Sequence, residues 1–364
     1  MDHRGRLKKL QGVLGENRLD ALLVTHLPNV HYLCGFTGSA GALVINEAGA
    51  WFFSDGRYRE QAQAEVEGCG VVIAKKPPLA AAAEWLIARA AKKRSLTRML
   101  GIESEHLSVA GRTQLARLLR AEFRLRETLG LVERLRMVKD ANEIKCLRAA
   151  GILGASLFER ALEMIRPGVK ETEVAAEMEY TARRAGAAEM SFPTIIAAGK
   201  RSALPHGRAS QEAIPARGFV VCDFGVILAG YCSDRTRTVH VGRISREARR
   251  MYEAVREAQR AAVEVVRDGV SVADVDDAAR KVLRKKDLAK HFTHSTGHGV
   301  GLEIHEAPRV AAGQTEVLRV GMVITIEPGV YIAGNGGVRI EDVVVVTERG
   351  YEVLAPASTE LITI

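Results

Sequence analysis

The chain has 364 residues, 47% hydrophobic and 26% charged, and 52 Lys and Arg against 44 Asp and Glu give it a net charge of +8. That composition excludes collagen-like, disulfide-scaffold and wholly disordered chains, and it leaves apolar material for a large core in two or three domains. The basic residues are spread among acids rather than gathered in one arm, so a solvated surface is expected and no nucleic-acid partner.

The opening residues 1–20 are charged throughout and hold no apolar h-region, so no signal peptide is expected. Helical spacing over 4–17 is followed by a buried strand over 21–25 and a hairpin over 42–45 and 50–53. An Ala-rich helix is expected over 79–93 and another over 109–120. The first helix carries Glu84 and Arg89 and is too short and polar to span a bilayer, so no membrane association is expected. Residues 1–130 therefore read as an α/β domain without a visible reaction centre. Residues 131–145 look like a charged helical connector, and a long amphipathic helix over 141–165 stops at Arg166-Pro167-Gly168. The five cysteines, Cys34, Cys69, Cys146, Cys222 and Cys232, are odd in number and far apart, which points to a reducing cytoplasm.

From residue 131 to 364 the chain repeats itself. Arg166-Pro167-Gly168-Val169 with Val174 reappears 101 residues later as Arg267-Asp268-Gly269-Val270 with Val275. Each copy follows a long helix, opens another and precedes strands. A duplicated α-α-β-β half accounts for this, and it predicts that ligands from equivalent strands meet at a shared axis.

The chemistry-bearing residues lie in these two halves. Phe219-Val220-Val221-Cys222-Asp223 is an apolar run ending in a carboxylate, and Asp234 follows after a Gly-containing turn. A hairpin across that turn is expected to set Asp223 and Asp234 side by side. Val323-Ile324-Thr325-Ile326-Glu327 ends in a second buried carboxylate, and Glu341 sits within an apolar strand expected over 338–346. Alternation puts Arg339 on the face of Glu341, where a plain salt bridge between them is the simplest reading. Four carboxylates among apolar neighbours repel one another unless cations or protons join them. Between the pairs stand His294, His298 and His305, three of the chain's ten His within twelve Gly-rich residues. Carboxylates with an imidazole suit Mn²⁺, Co²⁺ or Zn²⁺, and four anionic ligands neutralise two divalent ions. Two such ions activate water and polarise a carbonyl or phosphoryl group. The residues by themselves read as a two-metal hydrolase, with phosphatase and amidase chemistry both open.

With these motifs laid out (VCDFG, CSDRTRT, HSTGHGVGLEIHE, TIEPG and GGVRIEDVVVVT), the chain resembles the pita-bread metallopeptidases, the family of aminopeptidase P and prolidase. The resemblance implies an α/β N-terminal domain over 1–130 and an α+β pita-bread catalytic domain of pseudo-twofold α-α-β-β halves over 131–364. It implies that Asp223, Asp234, His298, Glu327 and Glu341 ligate two ions, usually Mn²⁺, with Asp234 and Glu341 contacting both. Glu327 would also handle the proton of the attacking water. His305 would stabilise the tetrahedral intermediate, and His206, in Leu204-Pro205-His206-Gly207, would lie near the scissile carbonyl. His294 and Arg339 would support the ligands. NVHYLCGFTGSAGALVI and FFSDGRYREQA in the first domain are similar to aminopeptidase P and prolidase, and methionine aminopeptidases generally lack that domain. Creatinases do not keep the metal ligands.

The implied activity is release of the N-terminal residue from peptides with proline second. The segments Phe36-Thr37-Gly38-Ser39 and Asp55-Gly56-Arg57-Tyr58 favour aminopeptidase P over prolidase, which acts on dipeptides. A non-catalytic pita-bread binding protein is the rival class, and the retained ligands argue against it. The resemblance also implies a homodimer, with Arg57 or Tyr58 reaching a neighbour. Asp223-Phe224-Gly225 stands without the other kinase motifs, Gly199-Lys200-Arg201-Ser202 lacks the first glycine of a P-loop, and Cys222 reads as a buried apolar residue rather than a nucleophile.

Overall fold

Asp2 accepts a hydrogen bond from Gly5 N at 2.8 Å and so starts α1 (His3–Glu16), which turns Leu7, Leu10 and Leu14 inward at helical spacing. The computed structural model describes residues 1–90 and 98–364, and the chain divides into two units, Met1–Arg136 and Met137–Ile364.

In the first unit, β1 (Ala21–Val24) is buried along its whole length because strands lie on both sides of it. The helix α2 (Leu27–Cys34) follows, then β2 (Ala42–Asn46) and β3 (Gly49–Asp55), which form the expected hairpin. Next come α3 (Arg59–Glu65), β4 (Gly70–Ala74), α4 (Pro78–Ala90), β5 (Arg98–Glu103), α5 (Val109–Leu119) and β6 (Phe123–Thr128). The sheet order is β4-β3-β2-β1-β5-β6, mixed, with β1, β5 and β6 parallel. The Ala-rich helix is described to Ala90; the expected continuation over 91–93 lies outside the described residues. The two tryptophans, Trp51 and Trp85, pack 4.5 Å apart between sheet and helix.

The connector is not one helix. A short α6 (Glu133–Met137) ends where Val138 bridges Met322 and Lys139 N bonds Gly321 O at 2.9 Å. Asp140 then caps α7 (Ala141–Met164) through Asn142 N and Glu143 N, so a new helix begins there.

The second unit shows the repeat. Helices α7 and α8 (Glu171–Arg184) precede β7 (Glu189–Met190), β8 (Ile195–Ala198), β9 (Gly218–Phe224), β10 (Val226–Leu228), β11 (Tyr231–Cys232) and β12 (Arg235–Val241). Helices α9 (Arg246–Glu264) and α10 (Val272–Lys285) precede β13 (Gly297–Gly299), β14 (Glu306–Val310), β15 (Val323–Ile326), β16 (Gly329–Ile332), β17 (Gly336–Arg339), β18 (Asp342–Thr347) and β19 (Gly350–Val353). The turn before α8 is tied by Gly168 N to Ile214 O, and the turn before α10 by Gly269 N to Leu318 O, both at 2.9 Å. Each turn also accepts at its valine, from Ile214 N to Val169 O and from Leu318 N to Val270 O, at 2.8 Å. The two halves are thus built alike. Each helix pair covers its own sheet, β12-β9-β8 in one half and β14-β13-β15-β18-β19 in the other. Val220, Cys222 and Val239 fill the first core, and Val255, Val275, Ile324 and Ile340 the second. The strands' remaining faces are free to carry polar side chains.

Candidate metal centre

Each of the four carboxylates sits at or beside a strand end, and Asp223, Glu327 and Glu341 each follow a wholly buried apolar residue. Asp223 is the second-last residue of β9, between Cys222 and Phe224, and Glu327 follows Ile326 at the end of β15. Asp234 immediately precedes β12, and Glu341 follows Ile340 just before β18. The apolar neighbours fill the cores and turn the carboxyls towards a cavity of about 590 Å³. All nine residues singled out in the sequence line it: His206, Asp223, Asp234, His294, His298, His305, Glu327, Arg339 and Glu341.

Two local expectations are corrected. The residue opposite Asp223 in the β9–β12 ladder is Thr236, not Asp234, because β10 and β11 fold out as a separate hairpin and delay the start of β12. Asp234 reaches the cavity diagonally. The strand expected over 338–346 is also interrupted at Ile340 and Glu341, since β17 pairs with β16 and β18 with β15. Arg339 therefore pairs with Asp223 Oδ2 rather than with Glu341. Glu341 Oε2 accepts from Thr236 Oγ1 at 2.8 Å instead.

His298 lies on β13, which threads between β14 and β15. A Cβ on Gly297 would stand 1.9 Å from Thr325 O and one on Gly299 2.2 Å from Ala307 O, so glycine on both sides is what admits the strand. The hydrogen-bond network gives the Nδ1 proton of His298 to Gly299 O at 2.9 Å. Its Nε2 lone pair then faces Asp234 Oδ2 and Glu327 Oε1, each at 3.5 Å. Burial holds this imidazole neutral, down at about 4.

The carboxylates resist ionising together. Burial, then Glu341, pushes Asp234 and Glu327 well above the usual carboxylate range. Burial, then Asp223, pushes Glu341 up to about 8. Asp223 Oδ1 is buried with no hydrogen-bond partner among the described residues. Ligand atoms of Asp234, His298 and Glu341 lie within 4.8 Å of one another. Clustered oxygens, an orphaned Oδ1 and an imidazole lone pair turned towards carboxylates are the donor set of hard or borderline divalent cations, and the residues present fit such ions.

The other histidines differ from His298. His294 uses both ring nitrogens, to Ser295 O at 2.8 Å and Tyr331 Oη at 2.9 Å, and burial, then Arg339, brings it to about 4. Both of its ring nitrogens are thus engaged within the protein. His305 meets the His298 ring edge-on at 4.5 Å, and burial, then His206, lowers its pKa. His206 and His305 are the solvent-facing pair of the cavity. Cys222 is wholly buried and pushed up to about 12 by that burial, which makes it no nucleophile.

Several residues in the cavity wall or behind it were not visible in the sequence. Tyr331 joins His294 to Arg339, Thr236 joins Arg339 to Glu341, and Thr325 Oγ1 accepts from His298 N at 3.0 Å. Arg208 and Arg309 line the wall, and buried Lys139 bonds Glu306 at 3.0 Å. Only Arg208 carried a signal, its nearness to His206.

Comparison with known proteins gives the family. Residues 145–348 match the model of metallopeptidase family M24, and residues 6–138 match the creatinase/prolidase N-terminal domain. An Xaa-Pro dipeptidase of Pyrococcus horikoshii is 37% identical, over 98% of this chain and 98% of that protein. Among solved structures, an Xaa-Pro dipeptidase from Bacillus anthracis superposes with a TM-score of 0.95 at 39% identity, covering 100% of both chains. The X-Pro aminopeptidase of Thermotoga maritima superposes with a TM-score of 0.89 at 32% identity, covering 99% of this chain and 100% of that one. A pseudo-twofold unit with its carboxylates gathered at one cavity, matched over more than half the chain and aligned end to end with such relatives, makes this chain a member of metallopeptidase family M24.

Proposed function

We propose that this metallopeptidase hydrolyses the Xaa–Pro bond at the N-terminus of short peptides. The observation that carries the reading is the gathering of four carboxylates, His298, His206 and His305 around one cavity. The relatives named above as Xaa-Pro dipeptidases and an X-Pro aminopeptidase supply the proline specificity. An Xaa–Pro amide has no N–H, so a peptidase that grips that N–H cannot use it.

In this reading Asp223, Asp234, His298, Glu327 and Glu341 hold two divalent ions, Mn²⁺ being favoured by the oxygen-rich donor set. When bound, such ions polarise the carbonyl and lower the pKa of water. Glu327, which lines the cavity beside His298, accepts the proton of the attacking water and returns it to the leaving proline nitrogen. His305 hydrogen-bonds the oxygen on which charge develops, and His206 orients the carbonyl from across the cavity. Arg339 fixes Asp223, and Tyr331 fixes Arg339 and His294.

A second reading concerns substrate length. Arg208 and Arg309 on the cavity wall offer cations to the carboxylate of a dipeptide, which favours a dipeptidase, whereas the aminopeptidase reading rests on the first-domain segments. Rates on Ala-Pro and Ala-Pro-Ala-Ala with Mn²⁺ decide. Cleavage of both makes the chain an aminopeptidase, and cleavage of Ala-Pro alone makes it a dipeptidase. Cleavage of neither, with metal bound, overturns the substrate class.

The proposal confines the peptidase machinery to residues after 130 and places the chain in the cytoplasm, where its five free cysteines suit a reducing compartment. It also includes a homodimer in which Arg57, 72% exposed, or Tyr58 contacts the neighbour. Among the described residues no helix is long and apolar enough to cross a membrane.

A further inference from the structure

Of the buried carboxylates outside the cavity, two, one in each half, are enclosed by hydrogen bonds to the segments that carry the histidines. Glu171, at the start of α8, is wholly buried. Its Oε1 accepts from Ala198 N at 2.8 Å, and its Oε2 from Ser210 N at 3.0 Å and Ser210 Oγ at 2.7 Å. Arg201 Nε bonds the same carboxylate at 3.0 Å, while its Nη2 donates to Arg208 O at 2.8 Å. Ala198 and Ser210 bracket His206, so one side chain closes both ends of that loop.

Asp276, on α10, is 1% exposed. It accepts from Thr296 Oγ1 at 2.7 Å and from Arg280 Nε at 2.7 Å. Arg280 passes on to Phe292 O at 3.2 Å and His294 O at 2.6 Å, with its guanidinium 4.3 Å above the Phe292 ring. The segment held this way runs straight into His298.

We infer that Glu171 and Asp276 are positioning residues with divided labour, Glu171 setting the His206 loop and Asp276 setting the His294–His298 segment. The two carboxylates occupy different helical positions, so the similarity is one of device rather than of repeated residue. The alternative role, plain stabilisation of the fold, affects every property of the site alike. Division of labour does not, because only the Asp276 segment carries a metal ligand. This inference rests on the peptidase reading for its kinetic half alone; its metal-binding half stands without it.

The test compares Asp276→Asn and Thr296→Val with Glu171→Gln and Ser210→Ala in the full chain. Each is stripped of metal, titrated with Mn²⁺ by calorimetry, melted, and assayed on Ala-Pro at saturating Mn²⁺. The two milder variants, Thr296→Val and Ser210→Ala, keep the test readable if a carboxylate variant fails to fold. The Asp276 pair is expected to weaken Mn²⁺ binding by about tenfold, as loss of a group behind a ligand does. The Glu171 pair is expected to keep Mn²⁺ affinity within about twofold while kcat and kcat/KM fall together about tenfold, the mark of a lost transition-state contact. Equal changes in both pairs, or lower melting temperatures alone, overturn the inference. A wild-type chain that binds Mn²⁺ but leaves Ala-Pro intact refutes the peptidase reading while the calorimetric comparison still decides the Asp276 half.

Discussion

Arg339 binds one oxygen of Asp223 and leaves the other, Oδ1, buried without a partner among the described residues. The guanidinium also takes Thr236 Oγ1 at 3.1 Å, Pro205 O at 3.1 Å and Tyr331 Oη, so its plane is fixed by the walls of the cavity. Lysine has the charge but not the fork. Arg339→Lys is expected to weaken Mn²⁺ binding by about tenfold with the fold intact, as read by calorimetric titration beside a thermal melt.

Burial, then the neighbouring charge of Glu341 and, further down, that of Asp223, resists ionisation of Glu327. Glu327→Gln removes one carboxyl from that repulsion together with the proposed proton acceptor. Hydrolysis of Ala-Pro is expected to be lost, while the metal-free melting temperature rises by a few degrees. An active variant, or one that melts lower without metal, counts against the assignment.

The pH dependence of the metal-free chain follows from the same repulsion. A carboxyl whose folded pKa is raised stabilises the fold below its unfolded pKa and loses that contribution as pH rises through the folded value. Glu341, pushed to about 8, and Asp234 and Glu327, shifted in the same direction, act in this sense. His298 and His294, held at about 4, act oppositely, but only below the ordinary histidine value of 6.5. Between pH 6.5 and 8 the carboxylates act alone. The metal-stripped melting temperature is expected to fall across that window and to flatten once Mn²⁺ is added, as melts at stepped pH would show.

His206 and His305 are both exposed at the cavity. His206→Ala and His305→Ala are each expected to lower kcat by roughly 10²–10³ while leaving Mn²⁺ affinity unchanged. Steady-state kinetics beside calorimetry separates this from a ligand's loss, in which both fall.

Much of this site was legible because its chemistry is local in the chain. A carboxylate closing an apolar run, as at Asp223 and Glu327, is costly to bury without a partner, and the glycines beside His298 mark a strand threaded between two others. The repeat was legible through the Arg-x-Gly-Val turns, which the two halves tie by the same pair of backbone bonds. What failed was register. Nothing local says that β10 and β11 leave the sheet and set Thr236 opposite Asp223, or that the chain changes sheets at Ile340. Tyr331 and Thr236 act only through partners brought close by folding, and Glu171 and Asp276 read as ordinary exposed helix acids until the loops close over them.

The most direct test of the central claim is Mn²⁺ titration of the chelator-stripped chain with Ala-Pro hydrolysis as the readout. No turnover is expected without metal, activity is expected to rise to a plateau at two ions per chain, and Glu327→Gln is expected to show none at any metal level. Undiminished hydrolysis after stripping, or a plateau with Glu327→Gln near the wild-type rate, would contradict that claim.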